Sequence, residues 1–262
     1  MIRLETHAGV ARLWLSRPDK HNAFTGEMLA GIAAAVRQCE NDPGVRVLVL
    51  GAEGKSFCAG ADLAWMAEQA MTGAEGNRHS ARILGEVFHT LAGCSKPTVA
   101  RIQGPARGGG VGLVAACDIA IAADTASFAL TEVRIGLVPG VISPFVIERL
   151  GPSQARALFL TGEAFSAADA YRLGFIHHLS PLATLDAKVE HVVDALSRGG
   201  PHALHACKKL VETVAFRDKR EALEDTVEAI ASRRESTEAQ EGMMAFLEKR
   251  PASWIPAKPY GK

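Results

Sequence analysis

The sequence predicts an α/β chain: stacked β/α turns over residues 1–195, then a helical region over residues 196–262. Three observations predict it. Short runs such as VRVLVL at 45–50 are β-branched or leucine with little polar alternation, the pattern of a strand covered on both faces. Apolar residues at helical spacing recur between such runs. Beyond Pro201 the helical spacing continues with no strand between.

Taken in order, residues 2–6 and 10–15 read as a strand pair around the turn at Ala8 and Gly9, followed by the polar loop SRPDKHNAF. Thr25 caps a helix with Leu29, Ile32, Val36 and Cys39 on one face, stopped by Asn41-Asp42-Pro43-Gly44. The strand at 45–50 runs into the loop GAEGKSFCAG and a helix from Ala61. Ile83, Leu84, Val87, Phe88 and Leu91 mark the next helix, and residues 98–102 the next buried strand. The glycine run 108–112 reads as a turn into the helix LVAAC, and residues 119–123 and 127–130 as short strands. From Pro201 on, Leu204, Val211, Leu223, Val227, Ile230, Met243 and Phe246 outline helices whose apolar faces need the parent core or a neighbouring subunit to lie against.

Composition narrows the function. Lysine plus arginine and aspartate plus glutamate both number 29, so the chain carries no global basic field for a phosphate backbone, and no nucleic-acid partner is expected. Apolar runs far shorter than about 20 residues exclude a transmembrane helix. The five cysteines (Cys39, Cys58, Cys94, Cys117, Cys207) lack C-x-x-C spacing and sit mostly in apolar stretches, which reads as buried reduced thiols. With no basic patch and apolar block at the N-terminus, a cytoplasmic location is the expectation.

Two glycine-rich loops compete for attention. Gly110 to Ala115 matches G-x-G-x-x-A, with Glu132 20 positions past Gly112, but its unit does not open a βαβ segment, and the next strand ends at Asp124 and not at Glu132. The loop Gly51 to Ser56 has two residues between its glycines where a phosphate loop needs four. Read together, the loops do something else: each precedes a helix, so both could aim free backbone N–H groups at one developing negative charge.

These loops also carry a resemblance. FCAGADL at 57–63, GPARGGGVGL at 104–113, CDIAIA at 117–122, TEVRIGLVPG at 131–140 and the tail EGMMAFLEKR at 241–250 resemble the crotonase (enoyl-CoA hydratase/isomerase) family over essentially the whole chain. The resemblance implies a crotonase-like spiral of ββα turns with a C-terminal helical trimerisation region, trimers often paired into hexamers, and an acyl-CoA thioester substrate. It implies no metal and no redox cofactor, coenzyme A being part of the substrate. By position, the N–H groups of Ala61 and Gly109 match the family's oxyanion hole.

Family hydratases hold a water between two glutamates. Here Glu132 matches the second, and Gly112 occupies the place of the first. A glutamate whose acidity is weakened by burial can serve as base and then acid, so Glu132 is the expected catalytic residue. A single glutamate also resembles family isomerases that move a 3-enoyl double bond to the 2-position. GGGVGL, TEVRIGL and ISPFVIERLG most resemble the bacterial branch acting on methylglutaconyl-CoA or isohexenylglutaconyl-CoA in leucine and acyclic terpenoid degradation. The second carboxylate of such substrates could stand in for the missing glutamate, held by Arg107, Arg134 or a helix N-terminus. The resemblance further assigns substrate and CoA contacts to Lys20, Ala23, Ala59, Asp62, Leu63, Gly108 and Val111, and, reaching CoA on a neighbouring subunit, to Phe246 and Lys249. Ala64 stands where relatives often place a phosphate-binding lysine. Trp65 and Met66 are candidates for the acyl wall, and His177 and His178 are read as structural. The expected activity is enoyl-CoA hydration, with 3,2-enoyl-CoA isomerisation or a non-catalytic CoA- or RNA-binding role as alternatives.

Overall fold

A computed structural model describes residues 1–255. β1 (Ile2–His7) and β2 (Val10–Leu15) pair antiparallel from Ile2 opposite Leu15 to His7 opposite Val10. α1 (Gly26–Asn41) is capped by the Thr25 hydroxyl, which accepts the Met28 N–H, and it buries Leu29, Ile32, Val36 and Cys39 as the spacing predicts. β3 (Val47–Ala52) begins two residues later than expected. The N–H groups of Val45 and Arg46 are taken by the carbonyls of Asp42 and Gly9 before the ladder starts.

α2 (Leu63–Ala70) and α3 (Gly73–Ala92) lead to β4 (Thr98–Ile102), β5 (Ala106–Arg107), α4 (Gly109–Ala116), β6 (Ile119–Ala123) and β7 (Ser127–Ala129). A 3-10 turn at Glu132–Ile135 precedes α5 (Ser143–Thr161), which kinks where Gly151 leaves helical backbone ahead of Pro152. β8 (Phe165–Ser166), α6 (Ala167–Arg172), β9 (His178–Ser180), α7 (Leu185–Ser197), α8 (Pro201–Val214), α9 (Leu223–Glu235) and α10 (Thr237–Leu247) complete the order.

Six strands form one sheet in the order β1-β2-β3-β4-β6-β9, parallel throughout except for the β1–β2 hairpin. All of β3 is buried, which explains its unbroken apolar run. A second sheet, β5-β7-β8, uses strands of two or three residues, too short to announce themselves by periodicity. Because β3 and β4 run parallel, the loops that follow them leave at the same sheet edge, the carboxyl ends where open α/β sheets place ligands.

The glycine run is not a turn before a helix but the first turn of α4 itself. Glycine is a poor helix former, yet no larger residue fits. A Cβ on Gly109 would lie 2.4 Å from Phe24 Cζ, one on Gly110 2.5 Å from the Cys58 carbonyl, and one on Gly112 2.3 Å from Ile142 Cγ2. The helix is glycine-rich where it presses on Phe24, Cys58 and Ile142.

The chain divides into two compact units: one of residues 1–94 and 98–189, the other of 95–97 and 190 onward. Within the second, the Glu238 carboxylate of α10 accepts the first-turn N–H groups of His202 and Ala203 in α8 at 3.0 and 2.8 Å. Leu223, Val227, Ile230, Met243, Phe246 and Leu247 are exposed there. Cys39, Cys58, Cys94 and Cys117 are buried, whereas Cys207 is exposed on α8. Among the described residues, no helix is long and apolar enough to cross a membrane.

Candidate active site

Two loops are zipped together at the sheet edge. Phe57 and Cys58 donate their N–H groups to the Pro105 carbonyl at 3.0 and 3.2 Å, and the Arg107 N–H returns to the Cys58 carbonyl at 2.8 Å. Gly60, in left-handed backbone at φ +90°, lies so close that a Cβ there would sit 2.9 Å from the Arg107 carbonyl and 3.4 Å from the Gly109 nitrogen. Ala61 and the start of α4 are thereby adjacent.

Ala61 forms an isolated parallel bridge with Phe24. The Phe24 N–H donates to the Gly60 carbonyl and the Asp62 N–H to the Phe24 carbonyl, both at 2.9 Å. In such a bridge the central residue's own N–H points the other way. Neither the Ala61 nor the Gly109 N–H has an acceptor among the described residues. By contrast, Gly108 donates to Ala129, and Val111 to Gly108. Ala61 and Gly109 are the residues whose N–H groups the resemblance implies as donors.

Glu132 opens the 3-10 turn that follows β7, and its carboxyl rests on Gly108: a Cβ there would be 3.0 Å from Oε1. Gly108 is at φ +48°, a backbone that favours glycine, so this position serves both the turn into α4 and the seat of the carboxyl. Oε2 of Glu132 is buried without a hydrogen-bond partner. Burial raises the pKa of this carboxyl above the ordinary 4.5.

Gly112 lies one helical turn beyond Gly108 on the same face, where a second carboxyl would project. That space is filled by Ile142, with Phe88 Cε1 3.0 Å from where a Cβ would be. The position of Gly112 is therefore walled by apolar side chains.

The remaining candidates are placed as follows. Lys20 and Ala59 are exposed, and Ala23 is half-buried. The loop 17–23 is locked by buried Asn22, whose side-chain amide donates to the carbonyls of Glu53 and Ser56 while its oxygen accepts the Arg17 N–H. The Asp62 carboxylate caps α2, accepting from Ala64 and Trp65, and pairs with Arg17, which holds its pKa below the usual carboxylate range. Leu63 is 65% exposed on the first turn of α2. Val111 is in the core. Trp65 packs against the core with its ring over Gly26. His177 Nδ1 accepts the Ala120 N–H, a structural role. Arg107 donates to the Ala106 and Ser127 carbonyls and the Ser127 hydroxyl. In the second unit, Phe246 is 83% exposed near the end of α10, and Lys249 follows in left-handed backbone. Sequence reasoning missed Phe24 and Arg17 as organisers of the Ala61 donor and Ile142 as the filler beside Glu132. Contacts between segments 30 or more positions apart leave no local pattern.

Known proteins resemble this chain over most of its length. An enoyl-CoA hydratase structure from Shewanella pealeana superposes with a TM-score of 0.93 at 39% identity, covering 97% of this chain and 95% of that one. Crotonyl-CoA hydratase of Syntrophomonas wolfei is 33% identical over 257 residues, 97% of either chain. 4-Chlorobenzoyl coenzyme A dehalogenase-1 of Arthrobacter is 32% identical over 213 residues, 80% of this chain and 77% of its own. Residues 5–256 match the enoyl-CoA hydratase/isomerase family. With paired donors at one sheet edge, a buried carboxyl beside them and relatives aligned nearly end to end, the chain belongs to the enoyl-CoA hydratase/isomerase family and has the crotonase fold.

Proposed function

We propose that this protein hydrates a 2-enoyl-CoA thioester with Glu132 as its single acid-base group. The observation that carries the reading is the Glu132 carboxyl seated on Gly108, beside the open N–H groups of Gly109 and Ala61. The thioester oxygen accepts from those two donors. Ionised Glu132 takes a proton from water as its oxygen adds to C3, and charge builds on the thioester oxygen as an enolate. The protonated carboxyl then delivers that proton to C2. Net, H and OH add across the double bond, and the weakened acidity of Glu132 suits both halves of the cycle.

The branched, second-carboxylate substrate of leucine or terpenoid degradation is the finer part of this proposal. Arg107 has its guanidinium engaged with Ala106 and Ser127, so exposed Arg134, two residues beyond Glu132, is the better holder for that carboxylate. Coenzyme A would run along Lys20, Ala23, Ala59, Leu63 and the backbone of Asp62 in the cytoplasm. Phe246 and Lys249 would come from a neighbouring copy in a homotrimer or paired trimers, which would also cover the apolar helix faces.

The test is one incubation with crotonyl-CoA, 3-methylglutaconyl-CoA and a 3-enoyl-CoA in isotopically labelled water, read by mass. One labelled water incorporated into a 2-enoyl ester supports hydration, and a preference for the diacid lost in Arg134→Ala supports the carboxylate site. An isobaric change of the 3-enoyl ester alone makes the protein an isomerase, which its single carboxyl also suits. No change in any ester overturns the enzymatic reading.

A further inference from the structure

We propose that Arg17 is a positioning residue that polarises the Ala61 N–H through a chain of two peptide groups. The proposal rests on the reading of Ala61 as a thioester donor. Arg17 Nη1 donates to the Ala23 carbonyl at 2.9 Å. That carbonyl belongs to the Ala23–Phe24 peptide, whose N–H donates to the Gly60 carbonyl at 2.9 Å. The Gly60 carbonyl in turn belongs to the Gly60–Ala61 peptide, whose N–H is the open donor. A trans peptide points its C=O and N–H in opposite directions, so the run from guanidinium to Ala61 keeps one sense throughout.

Hydrogen bonds in series polarise one another, and a cation at the head of the series makes each following N–H a stronger donor. The cation here is well held. Nη1 also donates to Asp62 Oδ2 at 2.8 Å, and the two side chains are only 20% and 16% exposed. The other oxygen of Asp62 accepts from Ala64 and Trp65 at the start of α2, just after the donor residue. The guanidinium therefore ties the loop at 17–24 to Asp62 on one flank of Ala61, and the Phe24 N–H ties it to Gly60 on the other. Sequence distance conceals this, since Arg17 and Ala61 lie 44 positions apart.

The experiment is difference spectroscopy of hexa-2,4-dienoyl-CoA bound to the full-length protein, in which the red shift of the conjugated thioester reports carbonyl polarisation. It is run beside steady-state kinetics with crotonyl-CoA. Arg17→Gln is expected to reduce the red shift and lower kcat by about tenfold or more, less than the loss of a whole donor, while KM stays within about threefold. Asp62→Asn keeps the helix-capping oxygen and the Arg17 bond to Ala23, so it is expected to keep most of the red shift. An unchanged red shift in Arg17→Gln overturns the relay, as does an equally large loss in Asp62→Asn, which would assign the effect to the ion pair. If Arg17→Gln does not fold, Arg17→Lys carries the test: it keeps a cation able to donate to the Ala23 carbonyl, so most of the red shift is expected to remain, and its loss in a folded Arg17→Lys overturns the proposal. A wild-type protein that binds the chromophore with no red shift removes the thioester-donor reading itself, a failure distinct from that of the relay.

Discussion

Replacing Glu132 by glutamine separates what the site does from what it costs the fold. The substitution keeps the shape and removes the proton. General acid-base groups typically contribute about 10²–10⁴ in rate, which is about 3–5 kcal/mol of barrier. The upper end is expected here, because Ile142 and Phe88 fill the place where a second carboxyl could take over. Stability should move the other way. A carboxyl whose pKa is raised in the folded state binds more protons there than in the unfolded chain, so stability falls as pH rises from the ordinary 4.5 through the folded value. Glutamine abolishes that titration. Glu132→Gln should be at least as stable as wild type at pH 7, and its advantage should vanish toward pH 4. Loss of the conjugated-thioester absorbance of crotonyl-CoA measures activity across the pH range, and thermal melts at pH 4.5 and 7 measure stability. Wild-type kcat/KM should show an acidic limb above the usual glutamate range. A variant within tenfold of wild-type turnover, or clearly less stable at pH 7, would refute the reasoning.

Other expectations follow from contacts. Gly112→Ala drives a methyl into Ile142 and should lower stability by about 1–3 kcal/mol in denaturant titration, partly restored in the double variant by Ile142→Leu, which lacks the Cγ2 that the methyl meets. Gly108→Ala places a Cβ at positive φ and 3.0 Å from Oε1 of Glu132, so activity should drop further than the melting temperature suggests, read by kcat at matched folded fraction. Arg149 donates to the carbonyls of Ala115, Cys117 and Phe175, joining α5 to the end of α4 and to the segment ahead of β9; Arg149→Met should destabilise by about 3 kcal/mol or more, with unfolding as the readout.

Much of this architecture is written locally. The hairpin at Ala8–Gly9, the Thr25 cap, the covered strand β3 and the helical run after Pro201 each follow from patterns a few residues long, because backbone geometry and burial act over that range. The loops could be singled out for the same reason: glycines ahead of a helix mark a place where backbone N–H groups are free.

What the tertiary structure alone decided lies between segments distant in sequence. Gly109 to Gly112 turned out to be helix and not turn because Phe24, Cys58 and Ile142, from three other segments, leave no room for side chains. β5 and β8 became strands only by pairing with β7. Residue type alone allowed Glu132 to be a solvated surface carboxylate; its seat on Gly108 weakens its acidity, since desolvation depends on what the rest of the chain places around a group. Arg17 reaches Ala61 through two peptides belonging to different loops. Periodicity records which face of an element is buried, but only the assembled chain sets which atoms meet there.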